Sequence, residues 1–347
     1  MQPKSLALDQ VVELALRNSM GIKQAELDVD RAREVADAAW EYHGYMLVKT
    51  WTGTDNLYKS YPGSDEHSWY KALSADRGWH IQQKTFEMTK DAISLNARRL
   101  YNDILKKQHG LGAAGAALEK AERDYRTVLA LAAVGMSTNM QVYAASAGLQ
   151  RAGSAAEQAR ADLEGAYRAL NKLIGLEPEE RPVLTTEPEF KAVAVESLDL
   201  AINRALSLDN NPYLWSKREG YELQRYVWSY TQPSEAGLID RDKAWLSYED
   251  ARAETRNKIY ELFDTMKTLE AAHASAQEGL ALAREALRAA ELRHWVGLAT
   301  YTAVLEQKAA LAQAEAAVLE LRSTHASVKE TFEKPWLAFL VPSTAFR

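Results

Sequence analysis

The chain has 347 residues and no cysteine, which excludes disulfides, thiolate metal sites and cysteine nucleophiles. A net charge of −6 argues against a dedicated nucleic-acid binder, and 47% hydrophobic residues argue against wholesale disorder. Abundant alanine, together with glutamate, arginine and leucine, predicts a mainly helical protein.

The beginning of the chain, Met1 to Lys4, lacks the apolar segment of a signal peptide. The longest stretch without charge, residues 127–150, contains polar side chains and a central glycine, so it predicts a turn between two helices rather than a membrane span. We therefore expect either a cytoplasmic protein or the mature part of an exported one to which Met1 was added.

Two long segments without proline, residues 63–177 and 234–334, can hold long helices because proline disrupts a helix interior. The helices predicted for the first half cover residues 9–18, 22–41, 85–133 and 139–174. Those predicted for the second half cover residues 198–208, 212–229, 243–295 and 301–332. Alternating alanine and leucine along the last helices predict close, coiled-coil-like packing.

The two halves form an internal repeat, since a short motif recurs 162 residues later in the chain. The first copy is Val134, Gly135, Met136, Ser137 and Thr138, and the second is Val296, Gly297, Leu298, Ala299 and Thr300. The predicted division is a first repeat over residues 1–176, a proline-rich linker over 177–194 and a second repeat over 195–347. The predicted fold is mainly α, with long antiparallel helical hairpins in two repeats.

The first repeat contains an aromatic insert over residues 42–83. Nine of the 40 residues from Trp40 to Trp79 are aromatic, and residues 45–54 favour a strand. We expect strands in this insert alone, with at most one short β-hairpin per chain. The candidate membrane-interface aromatics are Tyr45, Trp51, Tyr58, Trp69 and Trp79. Ordinary packing at the end of a helical bundle is the alternative.

Three segments stand out beside the two repeated turns: residues 5–18 (SLALDQVVELALRN), residues 86–90 (FEMTK) and residues 170–176 (LNKLIGL). Together they resemble the TolC-type outer-membrane efflux protein family. The first is similar to the start of that family's repeats, the second to its entry into the long helix, and the third to the end of its first repeat. The two Val-Gly-x-x-Thr turns lie where the family has the tips of its helical hairpins.

The resemblance implies a homotrimeric duct in the cell envelope, at the outer membrane and periplasm, for efflux or type I secretion. It further implies docking to a periplasmic adaptor protein and an inner-membrane transporter, contact with the outer membrane, and neither a cofactor nor enzymatic chemistry. The ten turn residues would be the adaptor contacts, although a plain helix–helix turn explains a glycine there too. In the family each repeat supplies a β-hairpin, but residues 230–242 are too few for two membrane strands.

Other functions remain open from the residues themselves. Glu291 and His294 match half of a di-iron motif, but the position aligned with His294 in the first repeat is Ala132. The remaining histidines show no metal-ligand spacing, so no metal site is predicted. A soluble coiled-coil scaffold without transport is the alternative function, and a helical enzyme is a third.

Overall fold

The computed structural model describes residues 5–51, 64–227 and 233–339, with the backbone alone for 42–51, 64–68 and 227. In this described part, nearly all residues are helical, which confirms the mainly α fold. The first four helices are α1 (Leu8–Asn18), α2 (Met20–Trp51), α3 (Ser64–Ala133) and α4 (Asn139–Ile174). The next four are α5 (Ser197–Leu206), α6 (Pro212–Val227), α7 (Ser234–Trp295) and α8 (Tyr301–Glu333).

Helix α4 begins and ends at the residues predicted for it, because both ends carry caps that are visible in the sequence. The Thr138 hydroxyl accepts from the Gln141 N–H at 3.3 Å, and the Gln141 side chain accepts from the Thr138 N–H at 2.8 Å. This reciprocal capping box satisfies two amides at the helix start. At the other end Gly175 has a φ of 76° and donates its N–H to the Asn171 carbonyl.

The predicted strand over residues 45–54 is wrong for residues 45–51, which belong to α2. Residues 52–54 lie outside the described residues. Helix α3 likewise begins at Ser64, far before the predicted residue 85, so the described part of the aromatic insert is helical. Extending an existing helix fixes one residue for each new hydrogen bond, which outweighs a weak local preference for strand.

The described residues contain two short strands, and neither lies in the aromatic insert as the sequence predicted. Strand β1 (Ser5–Leu6) pairs in parallel with β2 (Val183–Leu184), which belongs to the linker. The buried Tyr101 hydroxyl donates to the Leu6 carbonyl at 3.4 Å and accepts from the Thr186 N–H at 2.8 Å. The start of the chain and the linker are therefore fastened together on α3.

The chain folds into two compact units, and each unit takes residues from both sequence repeats. Unit 1 takes its described residues from within Met1–Ala15, Leu95–Val193 and Thr265–Lys329. It contains β1, β2 and α4, and its core holds fully buried side chains such as Tyr101, Ile104, Leu170 and Met266.

Unit 2 takes its described residues from within Leu16–Ser94, Ala194–Asp264 and Glu330–Arg347. Its Asp91 carboxylate accepts from Lys334 at 2.5 Å and from the Trp336 indole N–H at 2.9 Å. These bonds fasten the short 3-10 turn Pro335–Ala338, which follows α8, to α3. Helix α7 begins at Ser234, so residues 228–233 alone separate it from α6.

Candidate docking surface at two helical turns

The turn between α3 and α4 is a Schellman motif, which closes the end of a helix around a left-handed residue. Gly135 has a φ of 75°. Its N–H donates to the Ala132 carbonyl at 3.0 Å, and the Met136 N–H donates to the Leu131 carbonyl at 2.8 Å. These two bonds satisfy carbonyls that the helix itself leaves open.

The turn between α7 and α8 repeats this geometry bond for bond. Gly297 has a φ of 76° and donates to the His294 carbonyl at 3.0 Å, while Leu298 donates to the Arg293 carbonyl at 2.7 Å. His294 also contacts the Ala299 carbonyl through Nδ1 at 3.0 Å, which the first turn cannot reproduce because it has Ala132 there. The 162-residue repeat thus preserves a turn structure as well as a sequence motif.

Eight of the ten predicted turn residues are exposed, and Ser137 and Ala299, at aligned positions, are half-buried. The side chains of Met136 and Leu298, also aligned, are 76% and 80% exposed. The neighbouring apolar side chains extend this surface; they are Met140, Tyr143, Trp295 and Tyr301. We call the ten turn residues and these four neighbours the turn surface.

Both turns lie at the same end of unit 1. Lys308 on α8 donates to Glu119 on α3 at 3.0 Å, and Lys120 on α3 lies 3.9 Å from Glu306 on α8. These contacts show that the two helices are antiparallel. The turn after the end of α3 and the turn before the start of α8 therefore lie at the same end of the helix pair. Such exposed ion pairs add little stability, but they show the relative direction and register of the two helices.

The four neighbours were missed in the sequence, although a signal for two of them was present. Met140 and Tyr143 lie in the charge-free stretch 127–150, which was interpreted only as a turn. Large apolar side chains without nearby charge, at a position that forms a turn, indicate an apolar contact surface. Trp295 and Tyr301 flank the second motif directly, but Glu291 and Arg293 lie close to Trp295 in the sequence, so this signal was absent there.

The structure describes the side chains of two of the five candidate interface aromatics. Trp69 and Trp79 are half-buried on α3, and the Trp79 ring lies 4.8 Å from the His80 ring. Tyr45 and Trp51 belong to α2, where the structure describes the backbone alone, and Tyr58 lies outside the described residues. Their role at a membrane interface stays a prediction.

Neither a metal cluster nor a membrane-spanning helix is found in the described ranges 5–51, 64–227 and 233–339. No three acidic or histidine side chains there lie close enough to hold a metal ion, and Glu291 and His294 are both exposed. No helix there is both long and apolar enough to cross a bilayer.

Comparison of the sequence with protein-family models finds no match, and no curated protein matches it. Solved structures do match. The CmeC outer-membrane channel of Campylobacter jejuni superimposes with a TM-score of 0.68 at 14% identity, covering 94% of this chain and 85% of that chain. The outer-membrane protein VceC of Vibrio cholerae gives a TM-score of 0.63 at 14% identity, covering 94% of both chains.

The MtrE outer-membrane channel of Neisseria gonorrhoeae, in its open state, gives a TM-score of 0.55 at 15% identity, covering 94% of this chain and 88% of that chain. At these identities a structural match demonstrates a common fold. The match extends over nearly the whole chain and agrees with the resemblance seen in the sequence. The chain therefore has the fold of the TolC-type outer-membrane channels.

Proposed function

We propose that the chain is the channel-forming component of an efflux or type I secretion system in the cell envelope, at the outer membrane and periplasm. The fold shared with outer-membrane channels supports this role. The role involves passage of a substrate rather than chemistry on it, so it requires neither catalysis nor a cofactor.

The observation that carries the proposal is the turn surface. Two turns with the same backbone geometry place exposed apolar side chains at one end of unit 1. A turn that only connects two helices needs the glycine. It does not need exposed apolar side chains such as those of Met136, Leu298 and Trp295. We propose that this end docks onto a periplasmic adaptor protein, which connects the chain to an inner-membrane transporter.

A homotrimer is the proposed assembly. Helices α3 and α7 have 70 and 62 residues, and an alanine–leucine seam can bury a second helix face only against further helices. Leu282 and Leu292 on α7 are 73% and 57% exposed in the single chain. Neighbouring copies of the chain would cover such side chains.

The docking role is tested by two charged substitutions in the turn surface, Met136→Glu and Leu298→Glu. Each replaces an exposed apolar side chain at a position without positive φ, so we expect folding to be unaffected. In a strain of the source organism from which the gene is deleted, wild type should restore export of toxic small molecules or of a secreted protein. We expect the double variant to restore less than a tenth of that export, since a desolvated charge costs more than about 1.4 kcal/mol.

The matched control is Leu200→Glu on α5, an equally apolar position that is 65% exposed and outside the turn surface. It should restore export fully. Circular dichroism and sedimentation of all variants separate loss of docking from loss of folding or assembly. Full export by a correctly folded double variant would overturn the docking role. Normal tolerance and secretion in the deletion strain itself would overturn the proposed function.

A further inference from the structure

In unit 1, the last part of the linker lies against two buried histidines. His325 on α8 has no exposed surface, and His273 on α7 is 4% exposed. The ring of Phe190 stacks on His273 with 3.8 Å between centroids and 16° between planes, and it lies tilted against His325 at 4.5 Å. Phe190 is therefore the contact between the linker and both imidazoles.

The hydrogen bonds of His273 require a neutral ring. Arg322 donates its Nε–H to His273 Nε2 at 3.4 Å, and the Gln277 side-chain nitrogen lies 3.5 Å from the same atom. Only a ring nitrogen without a proton can accept these donors. Protonation of Nε2 would remove the acceptor and place an imidazolium against the Arg322 guanidinium.

His325 faces the carboxylate that holds the end of the linker. Glu270 Oε1 accepts from the Val193 N–H at 2.7 Å and lies 3.7 Å from His325 Nε2. Glu270 Oε2 accepts from Lys267 at 2.8 Å, and Lys267 also donates to the Val193 carbonyl. Both ring nitrogens of His325 are buried without a hydrogen-bond partner. A protonated His325 would compete with Val193 for Glu270 Oε1.

The charges around the two rings act in both directions. Arg322 opposes protonation of His273, whereas at His325 the Glu270 carboxylate favours protonation and Lys267 and Lys329 oppose it. Helix α7 contributes Lys267 and Glu270, α8 contributes Arg322 and Lys329, and Glu187 of the linker lies 3.8 Å from Arg322. Three cations therefore face two carboxylates before either imidazole is charged. Glu189 and Lys191 of the linker pair with each other in solvent at 2.5 Å.

We propose that His273 and His325 form a pH-sensitive latch, which holds residues 187–193 on α7 and α8 when both rings are neutral and releases them on acidification. Release breaks the Arg322 bond to His273, draws Glu270 away from Val193 and charges both rings that contact Phe190. The helices themselves are retained, since their own hydrogen bonds do not involve the two imidazoles.

The direction of the pH dependence follows from the environment of each group. Burial lowers the pKa of His325 and, with the charge of Arg322, that of His273. Burial raises the pKa of Glu270, but the bonds from Lys267 and Val193 and the charges of Lys267 and His325 bring it below its usual value. Below about pH 6.5 an unfolded histidine binds a proton that the latch excludes, so the latch loses stability as pH falls through that value. Glu270 stays ionised there.

The test is hydrogen exchange of the full-length protein at about pH 7.5 and about pH 5.5, with exchange times scaled to the intrinsic rate at each pH. We expect protection of the Val193 amide, which donates to Glu270, to fall at least about tenfold at the lower pH. An internal reference is the start of the linker, residues 177–182, which the Asn171 amide and the Arg181–Glu164 ion pair hold. Its protection should stay constant.

The double variant His273→Phe/His325→Phe keeps aromatic rings beside Phe190 but cannot titrate, so its protection should be independent of pH. His109→Phe, at an exposed histidine on α3, is the matched control and should behave as wild type. Equal protection of the Val193 amide at both pH values in wild type would overturn the latch. So would an equal loss in residues 177–182, and either result stands even if the double variant does not fold.

Discussion

At the scale of the residue, Gly135 and Gly297 are constrained by backbone conformation alone. A Cβ added at either position would meet no atom within 4 Å, yet both residues have a φ near 75°. Side chains other than glycine lose about 1 kcal/mol in this left-handed region. A charged substitution such as Gly297→Glu therefore combines backbone strain with a change of the surface, and Leu298→Glu tests docking more cleanly.

We expect Gly135→Ala to destabilise the protein by about 1 kcal/mol. Gly148→Ala is the matched control, because that glycine lies within α4 and also has open space around a Cβ. It should stabilise the protein by about 0.5–1 kcal/mol, since alanine favours a helix. Thermal unfolding, monitored by circular dichroism, shows whether each substitution raises or lowers the stability. Stabilisation by both substitutions would contradict the conformational argument.

Asn171 has a structural role that its position in the predicted end of the first repeat did not reveal. The residue is fully buried, and its amide donates to the Glu177 carbonyl at 2.8 Å and to the Glu180 carbonyl at 2.9 Å. These bonds fold the start of the linker back onto α4. The sequence offers no sign of them, because an asparagine near a helix end has many partners within reach.

Removal of this amide by Asn171→Ala should cost about 2 kcal/mol, since two carbonyls lose their donor. Gln158→Ala removes an exposed amide from the same helix, where it donates to Asp162, and should change stability by less than about 0.5 kcal/mol. Urea unfolding of the two variants measures the difference. Equal stabilities would show that water replaces the amide of Asn171.

At the scale of the element, the ends with a clear cap were predicted best, and the ends next to the aromatic insert were predicted worst. The bounds of α4 follow from Thr138 and Gly175. At the start of α3 the signal is weaker and was overlooked: Ser64 is followed by the acidic Asp65 and Glu66, which favour the first turn of a helix. Strands β1 and β2 have two residues each and pair across 178 positions, so no local pattern could reveal them. The turn surface was predicted in part, because its glycines are visible in the sequence and the exposure of its apolar neighbours is not.

The caps at the two turns differ, and this difference is testable. Thr138 has a full capping box with Gln141, whereas Thr300 accepts from the Ala303 N–H at 3.3 Å without a bond in return. We expect Thr138→Ala to cost about 1 kcal/mol and Thr300→Ala about half of that. Thermal unfolding of both variants decides the order. A greater loss at Thr300 would imply that the His294 contact with Ala299 depends on the cap.

At the scale of the whole molecule, each compact unit combines both sequence repeats. The predicted division into two repeats joined by a linker over residues 177–194 stays a prediction. The proposed histidine latch could not be predicted from the sequence. Its members, Phe190, His273 and His325, are far apart along the chain and are brought together only by the fold. The spacing of His273 and His325 in the sequence matches no metal-binding motif, so neither residue was singled out as part of a site.

The proposed trimer predicts a particle about three times the mass of one chain in sedimentation or native mass measurement. The association should persist at micromolar concentrations, because exposed leucines such as Leu282 would lie between chains. Leu282→Asp should shift the equilibrium toward smaller species, and Leu200→Asp should not. A stable, fully folded wild-type monomer, both in detergent and without it, would contradict the duct assembly.

Unit 1 is built from three segments that are far apart in the chain, so it can be completed only late in protein synthesis. Strand β1 leaves the ribosome long before its partner β2, and α8 follows only after residue 300. Contacts of such long sequence separation form slowly, because most of the chain must exist before its loops can close. The early segments must therefore stay unpaired while synthesis continues, and their apolar faces are open to aggregation during that time. A holding chaperone that binds unfolded chains is consequently expected to raise the yield of native protein more than faster synthesis would.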